Sequence, residues 1–131
     1  MSQNRQIIAT TEAPGAVGPY SQGIATDGLV FTAGQIPINP ASGKVEATTI
    51  EGQTRQVLNN VDAVLRAAGS GLHRVVKMTV FMTDLGDFKR MNAVYAEYFP
   101  DSPPARSAVQ VGALPLGAEI EMEAVALTRS S

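Results

Sequence analysis

The run PPARSAVQV at residues 103–111 decides the expected fold, together with the run EIEMEAV at residues 119–125. Both runs alternate polar and apolar residues with a period of two, which is typical of β-strands. The connection between them contains two glycines and a proline, which indicate a turn or loop. We therefore predict that the two strands pair as an antiparallel hairpin.

The predicted hairpin places Arg106 roughly opposite Glu121. Directly opposed side chains in such a pair have Cβ atoms about 4.5–5.5 Å apart. Ala108 shares the face of Arg106, because successive side chains of a strand point to opposite sides. One interpretation is a cross-strand ion pair, which is weak on an exposed surface. The other is a small site in which the guanidinium binds a carboxylate and Glu121 handles water.

Composition limits the class of protein. The chain has 131 residues, so we expect one domain over residues 1–131. The net charge is −2 and no basic stripe is present, which predicts no nucleic-acid partner. The chain has no cysteine, which excludes disulfides, thiolate zinc sites and cysteine nucleophiles. Without an apolar leader or a run of transmembrane length, we expect a cytoplasmic protein with no membrane partner.

The first third of the chain predicts strands separated by shaped loops. Residues 6–9 form a short apolar run that favours an edge strand. The segment 13–20 contains two prolines and two glycines, so we interpret it as a loop that delivers Tyr20 to a fixed place. Strand-like runs at 21–26 and 29–33 are joined by Asp-Gly, the typical signal of a two-residue hairpin. Residues 34–44 are expected to form a second loop.

Two amphipathic helices and a central strand follow. Thr48 and Glu51 match a capping box that opens a helix ending at Gly69. The apolar run 74–83 predicts a central strand buried on both faces. A second helix is predicted over 85–99, because its apolar residues recur at helical spacing before Pro100.

The element order is therefore β-ββ-α-β-α-ββ. Two helices on one face of a mixed, mostly antiparallel sheet define an α+β fold. The other face of the sheet contains alanine, valine and methionine, so we expect symmetric association to cover it.

Few residues remain for chemistry. His73 is the only histidine, and without a second ligand we expect it to be structural or solvated. The glutamates at 119, 121 and 123 suggest either a cation site or a solvated strand face, and alternation favours the solvated face. No phosphate-binding loop is present, and we expect no metal or other cofactor. The remaining set, Arg106, Glu121, Tyr20 and Asn92, suits recognition of a small carboxylate and activation of water.

Several motifs in this order resemble the RidA family of enamine/imine deaminases, also called the YjgF family. The resemblance covers nearly the whole chain. It rests on GPYSQ at 18–22, GQIP at 34–37, QTRQVLNNV at 53–61, VFMTDL at 80–85, PARS at 104–107 and IEMEA at 120–124, with Phe88, Asn92, Tyr95 and Phe99 between them.

The resemblance implies a chorismate-mutase-like α+β fold and a homotrimer with clefts between subunits. It implies hydrolysis of 2-iminobutanoate and 2-iminopropanoate, the latter arising from 2-aminoacrylate, to 2-ketoacids and ammonia, without a metal. In the family, the counterpart of Arg106 holds the substrate carboxylate and that of Glu121 is associated with the attacking water. The residues that match Tyr20, Gly34 and Asn92 line the cleft.

The chain departs from many deaminases of this family at two positions. Ala108 stands where cysteine is common, which excludes a thiol role but keeps the position a candidate for substrate binding. Ala33 stands where serine is common, which removes one possible hydroxyl contact. Two other functions stay open: a non-catalytic ligand-binding or chaperone-like trimer, and a ribonuclease or translation inhibitor. The acidic charge balance disfavours the latter.

Overall fold

The computed structural model describes residues 4–128 and has the predicted α+β architecture. Six strands form one sheet in the order β1-β2-β3-β8-β6-β7, in which only the β6–β7 pair is parallel. Both helices pack on one face of this sheet. The strands are β1 (Gln6–Ile8), β2 (Gly23–Thr26), β3 (Leu29–Thr32), β4 (Ile38–Asn39), β5 (Lys44–Val45), β6 (Val75–Met82), β7 (Ala105–Gln110) and β8 (Ile120–Leu127), and the helices are α1 (Ile50–Ala67) and α2 (Phe88–Tyr98).

The predicted pairing of β7 with β8 is wrong. The central strand β6 lies between them, so Arg106 is beside Met78 of β6 and Glu121 is beside Phe81. Neighbouring strands are about 4.8 Å apart, and the connection 111–119 is long enough to cross over the end of β6. The apolar β6 thereby gains hydrogen-bonding partners on both edges, which a hairpin of β7 and β8 would have prevented.

One face of β6 is buried and the other is not. Met78, Val80 and Met82 point toward the helices and are fully buried, whereas the alternate residues stay partly accessible. The prediction that β6 is buried on both faces is therefore wrong for a single chain. Both helices cover the same face of the sheet, because each crossover returns the chain on that side.

The opposite face, which we call the open face, carries exposed apolar side chains. Phe31 of β3, Val109 of β7 and Leu127 of β8 are all more than one-third exposed there. These residues alternate with the buried positions of their strands, as the pleat requires.

Helix α1 begins one residue later than the capping box predicts. Its N-cap is Thr49, whose hydroxyl accepts a hydrogen bond from the Gly52 amide at 3.0 Å. The valines and leucines predicted to form the apolar stripe of this helix are buried. The helix ends at Ala67, two residues before Gly69, where φ is +79°. A left-handed residue at this position favours glycine.

Two turns shape the ends of the sheet. The β2–β3 hairpin has the predicted turn, with φ of 48° at Asp27 and 84° at Gly28. The second loop contains the short β4–β5 hairpin, which the sequence analysis missed. Within residues 4–128, no helix is long and apolar enough to cross a membrane.

Candidate functional site

Arg106 lies against α2 in a cavity of about 390 Å³. Its Nη1 donates a hydrogen bond of 2.7 Å to Oδ1 of Asn92. The guanidinium carbon lies 4.6 Å from the ring centre of Tyr95 and 5.2 Å from that of Phe88. Such contacts stabilise a cation by about 0.5–2 kcal/mol. Two rings and an amide therefore hold Arg106 in one orientation.

No carboxylate within residues 4–128 forms an ion pair with Arg106. The side chain is only partly accessible, and its recorded hydrogen-bond partner is a neutral amide. A partly desolvated guanidinium binds anions strongly, because its planar fork offers two parallel donors to a carboxylate. The cavity is therefore suited to a small acid.

The spacing of α2 explains why these partners meet. Phe88, Asn92 and Tyr95 are four and three residues apart, so they lie on the same side of the helix. Asn92 is thus a polar residue among the apolar side chains of this face of α2. Tyr95 is buried, and burial raises the pKa of its hydroxyl, an effect that the nearby Arg106 partly offsets.

Glu121 lies on the open face of β8. Partial burial raises the pKa of its carboxyl group, and the nearby charge of Glu123 raises it further. A carboxylate with a raised pKa is a stronger base, so it accepts a proton from water more readily than an ordinary surface glutamate.

Gly34 is placed directly against Glu121. After β3 the chain bridges to β8, because the amides and carbonyls of Gln35 and Met122 exchange hydrogen bonds of 2.8 and 3.1 Å. A Cβ atom at Gly34 would overlap the Glu121 carboxylate. Any larger residue here would therefore displace the Glu121 carboxylate from its present position.

A cavity of about 380 Å³ adjoins the Glu121 carboxylate. Tyr20 lines this cavity with 51% of its surface exposed. The walls are mostly apolar, with a few polar groups, which is typical of small-molecule sites. The lining residues are Pro14, Gly15, Val17, Tyr20, Gly34, Gln35, Ile36, Ile38, Pro115, Leu116 and Glu121.

Gln22 holds two walls of this cavity together, and the sequence analysis gave it no role. Its side-chain amide donates to the carbonyls of Thr10, Ala13 and Pro14 and accepts from the Thr10 amide at 2.7 Å. Its backbone carbonyl accepts from the amide of Ala33, which precedes Gly34. Only 5% of Gln22 is exposed. Its position within the GPYSQ motif was the available signal.

The structure does not bring Arg106 and Glu121 together within one chain. Arg106 is beside Met78, which is beside Ala124, so these three side chains point to one face of the sheet. Glu121 is three residues from Ala124, and an odd separation along a strand places it on the opposite face. Their two cavities share no lining residue. The ion-pair interpretation is therefore wrong for a single chain.

The remaining candidates lie outside both cavities. Ala108 shares the face of Arg106, as predicted, but packs partly buried against the core and lines neither cavity. His73 is exposed in the turn before β6. Within residues 4–128, no cluster of histidine, aspartate or glutamate is suited to bind a metal.

The fold defines a small α+β protein with one cavity lined by Arg106 and a second cavity lined by Glu121. The family model described as Endoribonuclease L-PSP matches residues 10–128. A RutC family protein of Pyrococcus horikoshii is 51% identical over 122 residues, which cover 93% of this chain and 97% of the relative. The human 2-iminobutanoate/2-iminopropanoate deaminase is 44% identical over 94% of this chain and 90% of its own length.

Solved structures agree with these sequence relatives. The crystal structure of Escherichia coli TdcF with bound serine superposes with a TM-score of 0.90 at 46% identity, covering 95% of this chain and 99% of that one. The chain therefore belongs to the RidA family, as its motifs predicted.

Proposed function

We propose that this protein is an imine deaminase that hydrolyses 2-iminobutanoate and 2-iminopropanoate to 2-ketoacids and ammonia. The observation that carries the proposal is the guanidinium of Arg106, which Asn92 and Tyr95 hold and which has no ion-pair partner among residues 4–128. Such a group suits the carboxylate of a 2-imino acid. Two comparisons support it. The human relative is named for this reaction, and the related TdcF binds serine, which also carries a carboxylate.

The proposed chemistry uses Glu121 as the base. Water attacks the carbon of the protonated imine while its proton passes to the Glu121 carboxylate, which gives a tetrahedral amino alcohol. Glu121 then returns the proton to nitrogen and accepts the proton of the new hydroxyl group as the carbon–nitrogen bond breaks. The ketone forms, ammonia leaves, and this last proton passes from Glu121 to the ammonia. One water is consumed for each ammonia released. The raised pKa of Glu121 favours the first transfer, because it makes the carboxylate a stronger base.

The complete site of this proposal lies between neighbouring copies of a homotrimer. Arg106 and Glu121 are on opposite faces of one sheet, so one chain does not present both to the same small substrate. Two neighbouring chains can do so where the Arg106 cavity of one faces the Glu121 cavity of the next. The exposed Phe31, Val109 and Leu127 of the open face favour such an association.

A coupled assay tests the proposal. Threonine dehydratase releases 2-iminobutanoate, and semicarbazide traps the imine that has not yet been hydrolysed. We expect the protein to lower the yield of the trapped imine. Arg106→Ala should lower the activity by at least about 100-fold, because the substrate carboxylate loses its charged partner. Arg90→Ala is the matched control, since Arg90 is a surface residue paired with Glu51.

Two results would contradict the proposal. Full activity in a folded Arg106→Ala variant would show that the arginine does not hold the substrate. Binding of 2-oxobutanoate without any loss of imine would instead identify a non-catalytic ligand-binding protein.

A further inference from the structure

The pairing of β3 with β8 contains one extra residue on the β3 side. The regular ladder ends where Phe31 lies opposite Val125, and pairing resumes where Gln35 lies opposite Met122. Residues 32–34 therefore lie opposite only two residues of β8. An inserted residue of this kind is a β-bulge, which bends the strand that carries it and is often found beside a functional site.

The hydroxyl of Thr32 fills the gap that the bulge leaves in the ladder. An unbroken ladder would place Thr32 directly opposite Ala124. Instead, Oγ1 of Thr32 accepts a hydrogen bond of 3.0 Å from the buried Ala124 amide. A buried amide without an acceptor is costly, so this side chain satisfies β8 while the backbone after β3 bends away. The amide of the next residue, Ala33, donates to the Gln22 carbonyl at 2.8 Å, so the bulge is held from both sides.

The bulge determines which group lies beside Glu121. It brings Gly34 so close that a Cβ atom there would overlap the Glu121 carboxylate. Without the extra residue, Gly34 would lie opposite Met122 in the place that Gln35 takes. The side chains that follow would then point to the opposite faces of the sheet. The surroundings of the Glu121 carboxylate therefore depend on the bulge.

From this geometry we infer that Thr32 is a positioning residue for Glu121. Its hydroxyl holds the bulge, the bulge sets Gly34 against the carboxylate, and the carboxylate is thereby aimed into its cavity. The inference rests on the proposed function, in which Glu121 is the base. Thr32 is only 8% exposed and does not line that cavity, so it acts on the reaction through Glu121. Misplacing a reacting group by about 1 Å can lower a rate by roughly 100-fold.

A set of threonine variants isolates the role of the hydroxyl. Thr32→Val removes the acceptor and keeps the shape of the side chain, whereas Thr32→Ser keeps the hydroxyl. Thr54→Val is the matched control, because the buried Thr54 hydroxyl donates to the Ile50 carbonyl at 2.7 Å within α1 and Thr54 lines neither cavity. Thr32→Cys, whose thiol is a weak acceptor, replaces the valine variant if that one does not fold, and should show smaller changes in the same direction.

Steady-state kinetics give the first measurement. L-Alanine with an L-amino acid oxidase and catalase supplies 2-iminopropanoate, and semicarbazide traps the imine that survives. Thr32→Val should lower kcat by about 10–100-fold, because the base is displaced. KM should stay nearly unchanged, because Arg106 still binds the substrate carboxylate. Thr32→Ser and Thr54→Val should keep most of the wild-type kcat.

Carboxyl ¹³C NMR gives a second measurement, which does not depend on activity. In protein with ¹³C at the glutamate carboxyl carbons, the Glu121 signal is the one that Glu121→Gln removes. In Thr32→Val its pKa should fall toward the ordinary glutamate range, because a displaced carboxylate is less buried. In Thr32→Ser and Thr54→Val it should stay raised. Glu123 and Tyr20, the other titratable groups close to Glu121, are the same in all of these variants.

The two measurements separate the possible failures. Wild-type kcat together with wild-type titration of Glu121 in a folded Thr32→Val variant overturns the inference and leaves the deaminase proposal intact. Equal losses in Thr32→Ser and Thr32→Val also overturn it, because the hydroxyl would then not be the group that matters. If the wild-type protein hydrolyses no imine, the proposed function fails, and the titration alone decides whether Thr32 positions Glu121.

Discussion

Arg106 combines two properties that are seldom found together on a sheet edge. Its charge is partly removed from water, yet no carboxylate among residues 4–128 neutralises it. The rings of Phe88 and Tyr95 offset part of the desolvation cost of the guanidinium by cation–π attraction. Asn92 accepts a hydrogen bond from Nη1 and so fixes one side of the guanidinium. The remaining donors are therefore oriented before a ligand arrives, which lowers the entropy cost of binding.

Glu121→Gln separates catalysis from stability. Because burial raises the pKa of Glu121, the folded chain binds this proton more tightly than the unfolded chain does. The ionised carboxylate therefore costs stability, and this cost appears as the pH rises from the ordinary glutamate range through the raised pKa. We expect Glu121→Gln to lower kcat/KM by roughly 10²–10⁴-fold, because glutamine accepts no proton.

Melting curves check the stability half of this prediction. At about pH 7 the variant should melt at or above the wild-type temperature, and at about pH 4 or below the difference should shrink as the wild-type carboxyl protonates. The pH profile of wild-type activity should fall on the acid side as Glu121 protonates. A variant that melts well below wild type at neutral pH would contradict the assignment of Glu121 as a destabilised, functional carboxylate.

At the scale of elements, the start of α1 gives a direct test of which threonine caps the helix. Thr49→Ala removes the acceptor of the Gly52 amide, so we expect the free energy of unfolding to fall by about 1 kcal/mol. Thr48→Ala is the matched control and should change it by much less. Urea unfolding followed by circular dichroism measures both. Equal losses in the two variants would favour the capping box that the sequence alone predicts.

The loop that carries Tyr20 depends on Gln22. Gln22→Leu leaves three carbonyls without their side-chain donor, so we expect a loss of about 1–3 kcal/mol in stability. A loosened loop should also raise KM for the imine more than it lowers kcat, because Tyr20 borders the cavity without being the base. Steady-state kinetics at a temperature where the variant stays folded measure this split.

Gln56→Leu is the control for this loop. Among residues 4–128, the Gln56 side chain makes one hydrogen bond, to Asn60 within α1, and it lines neither cavity. A Gln22→Leu variant with wild-type KM would show that the loop keeps its shape without the glutamine.

Local sequence signals predicted the elements well, but not the order of the strands. The Asp27-Gly28 turn, the stripe of α1 and the alternation of β7 and β8 depend on nearby residues, and all are present. Strand order depends on which strands pair with the two edges of β6. No local sequence pattern encodes that pairing. The prediction therefore named Arg106 and Glu121 as the chemical residues but paired them across a hairpin that does not exist.

The same limit applies to the cavities. The rings that stack on Arg106 were assigned only to the apolar stripe of α2, because periodicity cannot distinguish a core aromatic from one that holds a cation.

At the scale of the whole molecule, the two faces of the sheet carry different candidate functional residues. The face under the helices holds the core and, at its β7 edge, Arg106. The open face carries Glu121 together with exposed apolar residues. In the proposed cyclic trimer each chain would contribute its arginine to one cleft and its glutamate to the next, so that every cleft would require two chains.

The placement of Arg106 and Glu121 on opposite faces of the sheet predicts that two inactive variants regain activity when they assemble into one oligomer. Arg106→Ala and Glu121→Gln should each be inactive alone, because every cleft lacks one group. When the two are unfolded, mixed in equal amounts and refolded, a cleft is intact if its arginine comes from the Glu121→Gln chain and its glutamate from the Arg106→Ala chain. Random assembly gives that combination in about a quarter of clefts, so we expect about a quarter of the wild-type imine hydrolysis. A mixture as inactive as its components, in oligomers that exchange chains, would mean that each site belongs to one chain, against the arrangement of β7 and β8 on which the proposal is built.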